Sequence, residues 1–166
     1  MNNYKLAIEK FYEIRDLPYH IATKGEQGCD CEDKTKMLVK ELQSLKINAR
    51  LRTGLFNWSV INLPQKVTEI KHDEHCSHCF VEVQNINGDW IFVDPTWNKE
   101  LKSTGFEISE WDGVNPTCLA FECNKILSPE DSIEYMGNID YETDLIENGE
   151  FYEAINKYCD SFLNKD

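Results

Sequence analysis

Three residues far apart in the chain, Cys31, His78 and Asp94, are of the types that build a nucleophilic site. A thiol attacks, an imidazole takes its proton and a carboxylate orients the imidazole. A thiol reacts as thiolate, and the free backbone N–H groups at the start of a helix stabilise that charge. Asp30 reads as the cap of such a helix, which puts Cys31 in its first turn; the carboxylates of Glu32 and Asp33 oppose a thiolate there, so a cationic histidine partner is needed. The chemistry this set would perform is addition to an amide-type carbonyl. Its oxyanion needs two donors: the backbone N–H of Cys31 is one and Gln27 is the candidate for the other. Trp97, just beyond Asp94-Pro95-Thr96, is expected to line a substrate cleft, whereas Trp58, Trp90 and Trp111 read as core.

The same cysteines admit a metal reading. Cys29, Cys31, Cys76 and Cys79 could give four thiolates to zinc, with His72 and His75 close by, and a site using Cys31 would silence it as a nucleophile. A smaller site built from His75, Cys76 and Cys79 need not, because strand alternation sends His78 and Cys79 to opposite faces. Seven cysteines, an odd number, without a secretory leader read as thiols in a reducing cytoplasm rather than a disulfide framework.

The elements that must position these residues follow from periodicity. Tyr4, Ile8, Phe11, Tyr12 and Arg15 predict an amphipathic helix stopped before Pro18. Residues 23–28 read as a loop, and a second helix runs from Asp30 to about Lys46, with Thr35, Leu38, Leu42 and Leu45 on the stripe that also carries Cys31. Strands are predicted over Ala49–Leu55, Trp58–Asn62, His78–Val83 and Asp89–Asp94, with Val67–Cys76 as a surface excursion. Thr117–Phe121 also reads as a strand, Ser128 as a helix start and Gly149–Leu163 as a final helix. The triad then makes a geometric demand. In an antiparallel hairpin His78 and Asp94 share a face only if the loop has an odd number of residues: a two-residue Asn87-Gly88 turn separates them, and a three-residue loop ending at Gly88, or a five-residue loop, unites them.

The segments GCDCEDKTKMLVKEL, LKINARLRTG, HCFVEV and GDWIFVDPTW, in that order, resemble the transglutaminase-like core of the papain-related cysteine enzymes. The likeness covers about residues 16–97. It implies an α+β fold in which the nucleophile helix packs on an antiparallel sheet, with Cys31 as nucleophile, His78 as base and Asp94 as orienting acid. It further implies peptidase or amidase action, or amide transfer, through a thioester. No cofactor and no calcium activation are implied.

At 166 residues the chain fits one domain over 1–166, its C-terminal extension being 98–166, with a core that requires neither metal nor disulfide. A formal net charge of -13 with scattered Lys and Arg argues against a phosphate backbone as main partner; the expected substrate, a protein or peptide amide, is what the triad and the resemblance imply. No apolar stretch approaches the ~20 residues of a membrane span. The acidic run from Glu130 to Glu153 reads as a solvated face.

Overall fold

The computed structural model describes residues 3–163; the other five residues of the expected 1–166 domain lie outside the described ones. The order is α1 (Asn3–Arg15), α2 (Cys31–Ser44), β1 (Ala49–Asn57), a short α3 (Gln65–Thr68), β2 (His75–Gln84), β3 (Trp90–Val93), β4 (Lys125–Ile126), α4 (Pro129–Gly137) and α5 (Tyr141–Asp160). The four strands form one antiparallel sheet in the order β3-β2-β1-β4, and the N-terminal helices pack on it. The fold is thus α+β, as the sequence predicts.

Strand alternation divides the core. Val81, Val83 and Val93 face α1 and α2, where they meet Phe11, Leu38 and Leu42. Phe56, near the far end of β1, joins Trp58, Trp97, Phe121, Phe151 and Ile155 in a second, aromatic cluster closed by α5. Burying an aliphatic or aromatic side chain contributes about 1.5–3 kcal/mol, so both clusters bear on stability, and the site lies where they adjoin.

Several elements differ from the sequence reading. Trp58–Val60 is a 3-10 turn, not the start of a strand. The Trp58 N–H donates to the Glu74 carbonyl and the Ser59 N–H to the Glu74 carboxylate, which folds the chain back and drives the indole into the aromatic cluster. The excursion expected over 67–76 holds the last turns of α3 and the start of β2. Thr117–Phe121 pairs with β3 through one backbone bond, Thr117 N–H to the Phe92 carbonyl, and is not a strand. Two of its other polar groups serve Asp94: the Thr117 hydroxyl accepts from the Asp94 N–H and the Ala120 N–H donates to the Asp94 carboxylate. Helix α5 begins eight residues before the expected Gly149, capped by Asp140, whose carboxylate accepts from the Thr143 N–H at 3.1 Å. Its early stripe is masked in sequence because the buried position is Asn148, which accepts from the Asp73 N–H at 2.7 Å.

Candidate functional site

Asp30 caps α2 as expected: its carboxylate accepts from the N–H groups of Glu32 (2.8 Å) and Asp33 (3.2 Å), and Asp33 reaches back to the Asp30 N–H. Such a cap is worth roughly 1 kcal/mol. Cys31 is therefore the first helical residue, and it lines a cleft of about 1070 Å³. The residue is half-buried. Burial pushes the thiol well above its ordinary value and Asp30 adds to this, while the backbone N–H of Cys79 works the other way.

The hairpin meets the geometric demand. Asn85 N–H donates to the Asp89 carbonyl at 2.8 Å and Gly88 N–H to the Asn85 carbonyl at 2.9 Å, so the loop is Ile86-Asn87-Gly88. Gly88 has φ 88°, the left-handed region that a side chain disfavours. Val81 pairs with Val93, so the register sets Asp94 opposite Phe80, and His78, two residues from Phe80 on the same face of β2, meets it Nε2 to Oδ2 at 2.6 Å with both residues fully buried.

Asp94 is held by more than His78. Thr96 donates from its backbone N–H (3.0 Å) and its hydroxyl (2.6 Å), and the Ala120 N–H donates at 2.7 Å. Burial alone would raise the carboxyl, but the charge and hydrogen bond of His78, with Thr96 and Ala120, outweigh it and hold Asp94 below its ordinary value. The imidazole packs against Phe56, Phe80 and Phe121. Its Nδ1 is buried and makes no hydrogen bond. The structure thus joins His78 to Asp94, whereas no hydrogen bond links His78 to Cys31.

Lys34, three residues after Cys31, is fully buried, and sequence reading missed it. Its Nζ donates to the carbonyls of Arg15 (2.9 Å), Leu17 (2.5 Å) and Thr96 (2.9 Å), tying α2 to the end of α1 and to the turn that holds Asp94. Burial lowers its pKa to about 8. The signal was present, since Lys34 lies four residues before Leu38 on the buried face.

Trp97 does not line the cleft. It is 2 % exposed, packs against Tyr19, Phe106 and Phe121, and its Nε1 donates to the Ala120 carbonyl at 3.3 Å, because the turn after Asp94 points inward to seat that carboxylate. Gln27 is exposed on the loop before α2 and is not among the cleft residues, although Gly28 and Asp30 are.

The metal reading gains nothing. Among the described residues no three His, Cys, Asp or Glu side chains gather as an ion site. Cys29 sits on an isolated bridge with His20, while Cys76 and Cys79 fall on opposite faces of β2. His72 stacks on Phe151 at 3.8 Å, and His75 Nδ1 bonds the Asn57 amide oxygen at 2.7 Å. Burial pushes the Cys76 and Cys79 thiols up to about 12.

Compared with protein-family models, curated proteins and solved structures, the chain matches none.

Proposed function

We propose that the chain is a cysteine-nucleophile enzyme of transglutaminase-like, papain-related architecture that acts on a carboxamide or peptide bond through a thioester. The observation that carries this reading is the buried His78–Asp94 pair at 2.6 Å, whose imidazole packs against Phe56 and Phe121, two residues that line the cleft together with Cys31. Asp94 fixes the imidazole by Nε2, and the ring's other nitrogen is left without a partner, as a base awaiting a proton would be.

The raised thiol of Cys31 implies that no thiolate is stored at rest. His78 Nδ1 takes the proton as sulfur adds to the carbonyl carbon. Asp30 occupies the first-turn N–H groups of Glu32 and Asp33, which leaves the Cys31 N–H to donate to the oxyanion. Collapse breaks the C–N bond, the amine departs with the proton from His78, and the thioester passes its acyl group to water or to an amine.

The same raised thiol favours a second reading, a binding module that keeps the fold without the reaction. Incubation with an activated acyl ester followed by peptide mapping separates the two. An acyl adduct confined to Cys31, formed about 100-fold more slowly in His78→Ala, is expected of the enzyme. Equal slow acylation of several cysteines, indifferent to His78→Ala, would overturn it.

A further inference from the structure

Addition of a thiol to a carbonyl puts negative charge on the carbonyl oxygen, which needs donors already aimed at it. Asp30 occupies the first-turn N–H groups of Glu32 and Asp33, so the Cys31 N–H is one such donor. Gln27, exposed and outside the cleft, is not the other. A second donor has to be a group that the fold itself carries to Cys31.

Tyr19 is carried there. His20 and Cys29 exchange two backbone hydrogen bonds, His20 N–H to the Cys29 carbonyl at 3.3 Å and Cys29 N–H to the His20 carbonyl at 2.7 Å. Across an antiparallel bridge the residue before one partner stands opposite the residue after the other, so Tyr19 faces Asp30, next to Cys31. The Tyr19 N–H donates to the Asn98 amide oxygen at 3.0 Å, which pins the backbone a second time. The ring is 3 % exposed and lies against the Trp97 indole with centroids 4.6 Å apart, so the faces of the ring are spent on packing.

The hydroxyl is not spent. Tyr19 lines the cleft together with Cys31, and among the described residues nothing is hydrogen-bonded to its phenol oxygen, which is also not one of the polar atoms sealed in the core without a partner. A tyrosine buried this deeply normally pairs its O–H. Here the O–H is left for what enters the cleft. Burial first, then the charges of Cys31 and Asp30, push the phenol well above its ordinary value, so it keeps its proton and stays a donor through the neutral range.

We infer that the Tyr19 hydroxyl is the second oxyanion donor of the site. As the Cys31 sulfur bonds to the carbonyl carbon, the π pair of the C=O bond moves onto oxygen, which accepts from the Cys31 N–H and the Tyr19 O–H. Neither donor gives up its proton, and the pair returns to the C=O bond as the C–N bond breaks. Tyr19 is on this account a catalytic residue, and its role rests on the acyl-transfer reading.

Tyr19→Phe tests the assignment, because it removes one oxygen, keeps the ring's packing and orphans no partner. Two reactions of the same thiol are timed in parent and variant, with peptide mapping to assign both to Cys31: acylation by an activated ester, which passes through an oxyanion, and alkylation by iodoacetamide, a displacement at saturated carbon, which does not. Acylation is expected to slow about 100-fold while alkylation keeps the parent's rate. A purely structural role for Tyr19 would move both rates together. Acylation as fast in the variant as in the parent, or the two reactions slowing in step, would overturn the assignment and leave the acyl-transfer reading standing. A parent that acylates on no cysteine would overturn both.

Discussion

At the scale of single residues, two aspartates of the site have carboxyls shifted in opposite directions. Asp94 accepts from His78, Thr96 and Ala120, four donors in all. An amide in its place would aim N–H at groups that already donate, so Asp94→Asn should destabilise the fold by about 3 kcal/mol, measured by urea denaturation, and abolish Cys31 acylation. Because its carboxyl is held low, the stability that Asp94 contributes is present above the ordinary value of 3.8 and is lost as pH falls below it. Asp30 is the reverse case. Raised to about 6 from 3.8, it contributes stability that is complete below pH 3.8 and lost as pH rises through about 6. Asn caps a helix as well as Asp does. Asp30→Asn should therefore be more stable than the parent above pH 6 by about 2 kcal/mol, with no difference near pH 3.5, in urea titrations across that range. It should also lower the Cys31 pKa, since Asp30 helps to raise it, and so speed alkylation of that thiol at pH 8.

At the scale of elements, Lys34 binds three parts of the chain that the reaction would need in register: the C-terminal end of α1, the first turns of α2 and the turn after β3. The ammonium offers three N–H donors and finds three carbonyls. Lys34→Met keeps the volume but strands those carbonyls in the core, and should cost about 3 kcal/mol. A purely structural role would spare the acylation of the folded variant; loosening of the Asp94 turn should instead reduce it at temperatures where circular dichroism still reports a native fold. Much of this frame was legible in sequence. The Asp30 cap and the hairpin follow from local rules of capping and period-two alternation, whereas turn chemistry at Asn87-Gly88 allows an even or an odd loop, and the Asn85–Asp89 pairing decides for the odd one that joins His78 to Asp94. What local rules could not supply were long-range polar bonds. Thr117–Phe121 looks like a strand because its residues favour one, yet its Ala120 N–H serves Asp94. Trp97 follows the site in sequence and lies behind it in space, since the chain turns inward at Thr96.

At the scale of the whole molecule, the charge of -13 is not evenly borne. Nine of its carboxylates, Glu134 and Glu147 among them, line the one cleft that Cys31 also lines, while His78 is buried among Phe56, Phe80 and Phe121. Self-repulsion among these carboxylates opposes folding at low ionic strength. Glu134→Gln/Glu147→Gln should then melt higher than the parent by about 2 °C at low ionic strength, and the gain should vanish in about 1 M salt, where exposed charges are screened over roughly 3 Å. If calorimetry found the double variant no more stable at low salt, the carboxylates would be adequately solvated as they stand, and the acidity of the cleft would cost the fold nothing.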